Sequence, residues 1–395
     1  MSTANCTIAS RLIRPGFGAL LAASRYSKMG YDARQICSRI NFMMPRKKAT
    51  PTSTVGRGKA VVITDAPTTG HYVDGYVSLC LGDSLDAYAA WPEPSVIVSD
   101  GAYGVLGFEG DTSDHLEIAQ WYEPHVAKWS ERATGGTTLW FWNSEIGWAT
   151  VHPVLERHGW RYVNANVWNK GKAHIAGNVN TAKIRRFPVV TELCVQYVFE
   201  PKLFGLTLQQ WLYREWKRTG LPLRRANEAC GVKDVAVRKY LDQGHLWYYP
   251  PPAMFAKLAA FANEHGATSG RPYFSVNGKT PLSESEWAAL RSKFHCPMGY
   301  TNVWDRNALH GRERIKVPHL GGGKAAHLNQ KPLDLMRLII EASSDPGDVV
   351  WEPFGGLFSA SLAAKTLKRR AHSCELDPTY FQLGVERFAD SDELF

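Results

Sequence analysis

Gly347-Asp-Val-Val-Trp-Glu-Pro-Phe-Gly-Gly-Leu-Phe-Ser-Ala-Ser-Leu-Ala-Ala364 decides how this 395-residue chain is read. Val349 to Trp351 is a short apolar run suited to a buried strand, Gly355 and Gly356 supply a turn, and small and apolar residues follow as a helix. Strand, glycine turn and helix together predict a βα unit whose loop faces a phosphate or a cofactor. A second strand is expected from His372 to Leu376, carrying Glu375, 23 residues after Glu352. That is near the roughly 20-residue spacing at which α/β folds offer a carboxylate to a ribose. Turn and acid together predict an adenosine-containing cofactor, and the dinucleotide pattern Gly-x-Gly-x-x-Gly is absent.

Upstream, Ser95-Val-Ile-Val-Ser-Asp-Gly-Ala-Tyr-Gly104 holds a short buried strand, Val96 to Val98, whose carboxyl end turns abruptly polar. Open α/β sheets place their chemistry at that end. Tyr72 to Leu81, Thr137 to Trp142, Tyr162 to Trp168 and Val189 to Phe199 read as further strands, and Trp148 to His158 as a helix. The alternation predicts an α/β domain with a mainly parallel sheet.

Composition bounds the function. Hydrophobic content of 44% and charged content of 21% are ordinary for a globular protein, and no run reaches the roughly 18 apolar residues of a membrane span. Seven scattered cysteines without a Cys-x-x-Cys pair indicate neither a disulfide framework nor a zinc site, and no metal is expected; a reducing, cytoplasmic setting fits. The net charge of +9 resides in the first 70 residues, which hold 11 Lys or Arg and two acids; the remainder has 35 of each sign. Residues 1–70 read as a disordered basic lead, resembling a transit peptide in composition, although Met43 or Met44 is a plausible start. Any attraction of the folded body for nucleic acid must therefore be local.

Such a local surface is expected between residues 201 and 295, where the texture turns helical: Leu208 to Arg218, Leu223 to Cys230, Val235 to Leu241 and Pro252 to Glu264. Ala226, Cys230, Val232, Val237 and Tyr240 surround Gly231 with the spacing of a helix-turn-helix, although Asn227 stands where alanine is usual. Residues 201–240 carry nine bases against three acids. Arg224, Arg225, Lys233, Arg238 and Lys239 are the candidate nucleic-acid contacts; a two-helix hairpin with a solvated basic face is the blander reading.

Glu352-Pro-Phe-Gly-Gly356, Gln330-Lys331-Pro332 and Asp100-Gly101-Ala102-Tyr103, taken in their order along the chain, resemble the β-class DNA amino-methyltransferases acting on adenine N6 or cytosine N4, of the restriction-modification type. Asp100 to Tyr103 is similar to the family's Asp-Pro-Pro-Tyr signature, and the likeness, spanning residues 72 to 390, includes Trp168-Asn169-Lys170, Glu192 and Thr301 to Trp304. The resemblance implies a Rossmann-like S-adenosylmethionine-dependent methyltransferase fold with an inserted helical target-recognition region: residues 71–200 as the catalytic half, 201–295 as the insertion and 296–390 as the cofactor half. It implies Asp100, Gly101 and Tyr103 as catalytic, with Asp100 and the Gly101 carbonyl accepting the amine and Tyr103 stacking on the base. It implies Glu352, Phe354, Gly355, Gly356, Glu375, Gln330, Lys331 and Pro332 at S-adenosyl-L-methionine, Lys331 near the methionine carboxylate. Double-stranded DNA and a cognate restriction endonuclease are the implied partners, with monomer and homodimer both open.

Two motifs depart from the family pattern. Gly101 and Ala102 replace both prolines, which loosens that loop, and Phe358 stands where Phe-x-Gly-x-Gly ends on glycine. Other readings stay open: an RNA or protein amide methyltransferase, or an inactive methyltransferase-fold regulator. Asp83 reads as a turn residue, Glu192 as a site residue or a carboxylate paired with Arg185 or Arg186, His327 as a surface histidine or a cofactor contact, and most of the 14 tryptophans as core.

Overall fold

The computed structural model describes residues 70–104, 114–171, 185–317, 324–325 and 329–392, all within a unit spanning Thr64–Phe395. The basic lead, apart from Gly70, and His327 lie outside the described residues. The strands are β1 (His71–Val73), β2 (Val77–Leu81), β3 (Val96–Ser99), β4 (Thr138–Asn143), β5 (Trp160–Asn169), β6 (Thr191–Phe199), β7 (Val303–Asp305), β8 (Lys316–Val317), β9 (Lys324–Ala325), β10 (Val349–Glu352) and β11 (Arg370–Glu375). The helices are α1 (Ser84–Ala87), α2 (Ile118–Arg132), α3 (Glu145–Arg157), α4 (Leu208–Arg218), α5 (Arg225–Cys230), α6 (Pro252–His265), α7 (Glu284–Ala289), α8 (Leu333–Ser343), α9 (Ser359–Thr366) and α10 (Pro378–Asp392).

One sheet runs β1-β2-β11-β10-β3-β4-β6-β5-β7. Its centre, β2 through β4, is parallel, while β6 is antiparallel to β4 and β5. Strands buried on both faces read as continuous apolar runs, as Val349 to Trp351 and Leu139 to Trp142 do. Successive side chains still take opposite faces. Val98, Trp140, Trp142 and Val350 join one buried cluster, whereas Ile97, Leu139, Phe141 and Trp351 join the other. The expected strand from Tyr72 to Leu81 is broken into the antiparallel pair β1 and β2, because the Asp74 carboxylate accepts from the Tyr76 and Val77 amides and turns the chain.

From β3 the chain continues to β4 on one side, and from β10 to β11 on the other. The order therefore reverses between the neighbours β3 and β10, and open α/β sheets leave a crevice at the carboxyl end of such a switch point.

Helices α4 to α7 enclose a third core around Trp287, which stacks against Phe255 at 4.2 Å and against Tyr249 at 4.6 Å. Helix α4 has the bounds expected from sequence, set by a capping box between Thr207 and Gln210. The expected helix from Val235 to Leu241 is a π-helical turn, Ala236–Tyr240. Eleven of the 14 tryptophans are buried. One expectation fails: Cys80 and Cys374, partners in the register of β2 and β11, are joined by a disulfide. They are 294 residues apart, and only the sheet brings them together.

Candidate functional site

The ends of β3 and β10 open onto a cavity of about 700 Å3, within the roughly 300–1,000 Å3 of small-molecule sites. Asp100, Gly101 and Tyr103 enter it after β3; Glu352, Phe354, Gly355 and Gly356 at and after β10; Glu375 ends β11; Gln330 and Lys331 precede α8. Two segments some 230 residues apart in sequence, Asp100 and Lys331, thus meet in one wall. Pro332 does not line the cavity; it is the N-cap residue of α8.

Each acid of the cofactor half has a distinct setting. Glu352 sends both oxygens into the first turn of α9, accepting from the Ala360 and Ser361 amides at 2.8 Å. The N-cap of that helix, Phe358, has no side-chain oxygen, so the strand carboxylate satisfies the orphan amides and meets the positive end of the helix dipole. Glu375 accepts from the Gly356 amide at 2.5 Å and the Asp377 amide at 2.8 Å, which ties the glycine turn to the end of β11. Burial pushes both carboxyls up to about 7 against the pull of these hydrogen bonds.

Asp100 is the end of a buried charge cluster. The Lys331 ammonium, 3% exposed, donates to Asp100 Oδ1 at 2.7 Å and Oδ2 at 2.8 Å, to the Asn329 carbonyl at 3.1 Å, and lies 3.0 Å from Glu192 Oε1. Tyr103 Oη reaches Asp100 Oδ1 at 2.8 Å and Glu192 Oε1 at 2.7 Å, and Lys170 stands 2.7 Å from Glu192 Oε2. Burial disfavours the Lys331 ammonium, yet Asp100 and Glu192 beside it hold its pKa above the usual lysine range. Burial would raise Glu192, but Lys331 and Lys170 leave it below the usual carboxylate range. Burial, together with Asp100 and Glu192, keeps the Tyr103 phenol protonated. The N–H groups of Lys331 are already engaged, so its nearest charges are these two carboxylates. Gln330 braces the segment, its side chain bonding the Glu313 carbonyl and the Ile315 amide.

The helical insertion resolves its charges. Arg218 pairs with the buried Glu215, Arg225 with Glu228 and Arg238 with Asp234. Lys202, Arg214, Lys217, Arg224, Lys233 and Lys239 are exposed and have no ion pair among the described residues. Gly231 ends α5 in the left-handed region. Asn227 ties α5 to the π-helical turn, its side-chain oxygen accepting from the Val237 amide at 3.1 Å, which alanine at that position could not do. Among the described residues no group of three or more His, Cys, Asp or Glu could hold a metal.

The N6/N4 DNA methylase family matches residues 95–386, which takes in both halves of the cavity and the insertion. The chain belongs to that family. Type II methyltransferase M.HinfI of Haemophilus influenzae is 36% identical over 89 residues, 22% of this chain and 24% of that protein. DNA adenine methyltransferase YhdJ of Escherichia coli (strain K12) is 35% identical over 124 residues, 29% of this chain and 40% of that protein. The aligned stretches thus span well under half of these relatives. Among solved structures, the PvuII DNA methyltransferase (cytosine-N4-specific) is 15% identical, with a TM-score of 0.47 over 80% of this chain and 86% of that one.

Both departures from the DNA methylase pattern have local causes. A Cβ at Gly101 would fall 2.7 Å from the Phe354 ring and from Tyr122 Oη, so the first proline of the signature has no room here. Phe358 takes φ 53° and ψ 44°, the left-handed conformation for which glycine is favoured, but its ring is fully buried in the sheet core. Trp121 and His125 of α2 also line the cavity, and sequence reading missed them. Burial pushes His125 down to about 4, which keeps it neutral against the Phe354 ring at 4.9 Å. Aromatic residues on a helix face carry no signal that separates a cavity wall from a core. Asp83 caps α1 through the Leu85 amide, as a turn residue would, and also lines the cavity.

Proposed function

We propose that the chain is a DNA N-methyltransferase that moves the methyl group of S-adenosyl-L-methionine onto the exocyclic amine of a flipped base, adenine N6 in preference to cytosine N4. The observation that carries the reading is the meeting of Asp100, a carboxylate held by Lys331 and Tyr103, with the glycine turn and Glu375 in one cavity at the switch point. Its size, its aromatic wall of Phe354 and Trp121 and the acid at the end of β11 fit an adenosine cofactor. Glu375, Phe354, Gly355 and Gly356 would hold it, with Gln330 and Lys331 closing the side nearest Asp100. When bound, S-adenosylmethionine supplies an electrophilic sulfonium methyl.

The work of the chain is then positional. The lone pair of an exocyclic amine is delocalised into its ring, which makes it a poor nucleophile. Asp100 Oδ2 and the Gly101 carbonyl would each accept one amine N–H, favouring a pyramidal nitrogen with its lone pair aimed at the cofactor side. Tyr103 would flank a base that has left the duplex, at a cost of a few kcal/mol. The exposed bases of the insertion would contact phosphate, making residues 201–295 the target-recognition part between the catalytic half, 71–200, and the cofactor half, 296–390. Aspartate at the head of the signature and the similarity to an adenine methyltransferase support adenine. The similarity to type II methyltransferases supports a cognate restriction endonuclease as second partner.

The test is transfer of labelled methyl to mixed-sequence duplex DNA, followed by nuclease digestion and mass identification of the nucleoside. N6-methyladenine is the expected product. N4-methylcytosine would keep the reaction and correct the base, and unlabelled DNA alongside normal cofactor binding would overturn the reading.

A further inference from the structure

We propose that Glu192 is a positioning residue for the transfer step, holding Asp100 in the state that can accept the target amine; this rests on the methyltransferase reading above. Four charges alternate in a row, the half-buried Lys170, the buried Glu192 and Lys331, and the half-buried Asp100, with links of 2.7, 3.0 and 2.7 Å. The row is neutral as a whole and ends on Asp100 at the cavity. Strand pairing builds it: β6 sets Glu192 opposite Trp168 of β5, and Lys170 follows one residue beyond the end of β5.

The distribution of donors on Asp100 gives the row its consequence. Among the described residues, Oδ1 receives Lys331 and Tyr103, whereas Oδ2 receives only Lys331 and keeps a lone pair for an incoming N–H. Glu192 makes this possible by taking part of both donors, since Lys331 and Tyr103 each reach its Oε1 as well. Without the Glu192 charge, the buried ammonium faces one anion and the phenol finds only a weaker, neutral acceptor at residue 192. Both donors then fall on Asp100, which is turned toward them and filled as an acceptor. Glu192 itself does not line the cofactor cavity; with Lys170 and Trp168 it lines a separate one of about 290 Å3. Its loss should therefore slow transfer and spare cofactor binding.

The experiment uses the full chain, single-turnover methyl transfer to duplex DNA, equilibrium titration of S-adenosylmethionine and thermal unfolding. Glu192→Gln is expected to lower the transfer rate by about a hundredfold, the scale of a small misplacement of a reacting group, with cofactor Kd within about threefold of wild type on that same argument. Glu192→Asp, which restores the charge, should recover part of the rate. If Glu192→Gln does not fold, Lys170→Met, which removes the outer partner, must slow transfer with cofactor Kd unchanged. Wild-type rate in either folded variant, or a rate lost only in step with cofactor binding, overturns the proposal. A wild-type chain that binds cofactor and labels no DNA instead overturns the methyltransferase reading, and this inference falls with it.

Discussion

Phe358 occupies the space that a side chain at residue 384 would need: a Cβ added to Gly384 would collide with the phenyl ring. The glycine missing from the cofactor turn is thus matched by a glycine on α10, and Phe381 of the same helix meets the ring edge-on at 5.9 Å. Left-handed backbone in a non-glycine residue costs roughly 1–2 kcal/mol, and a fully buried phenyl contributes about 3–5 kcal/mol when measured by truncation. Phe358→Gly, which restores the family's residue, is therefore expected to lower stability by about 1–4 kcal/mol, the difference of those terms. Urea denaturation would show it as a reduced midpoint, and an unchanged or raised midpoint would refute the offset.

Gly101→Pro should likewise fail to improve the site, although proline is what the signature carries. The added ring atoms would enter the Phe354 ring and Tyr122 Oη. Cofactor affinity is expected to fall at least about tenfold, an effect of roughly 1.4 kcal/mol, measurable by calorimetric titration. Equal or tighter binding would show that Phe354 moves aside freely.

Glu375 predicts a pH dependence of cofactor binding. Burial pushes its carboxyl up to about 7. Ribose hydroxyls donate best to the ionised form, so binding favours deprotonation: affinity should rise with pH through about 7 and level off above it. Titrations at several pH values should give that rise in the wild type and a flat profile in Glu375→Gln. A flat wild-type profile would remove Glu375 from the cofactor site.

Replacing Arg224, Lys233 and Lys239 together with alanine should weaken binding to all DNA sequences alike. If each meets a phosphate, the salt slope of log K shrinks by about 0.9 per contact. Filter binding across a salt series would measure this, with cofactor affinity as the unchanged control. A loss confined to one sequence would instead assign them to base readout.

Legibility followed the range of the interactions. The strand from Val349, the glycine turn and helix Leu208–Arg218 were readable because a buried strand, a positive φ and a capping box are written in adjacent residues. The gathering of Asp100, Tyr103, Glu352, Phe354 and Glu375 followed from the order of motifs and the rule that sites lie at strand ends. Lys331 against Asp100 depends on how distant segments pack, and Cys80 against Cys374 on a strand register; no local pattern records either. Glu352 as the cap of α9 was hidden for another reason: a carboxylate beside a glycine turn reads equally as a ligand contact until the helix amides are located.

The strand order also bears on synthesis. β2 and β3 precede most of the sheet in the chain, yet the two places between them belong to β11 and β10, which follow every other described strand in sequence. Until those two are made, the middle of the sheet is an open slot with unpaired strand edges on both sides, the kind of surface that recruits foreign strands. The centre of the sheet therefore cannot close before β10 and β11 have been made, and the same two late strands complete the cavity.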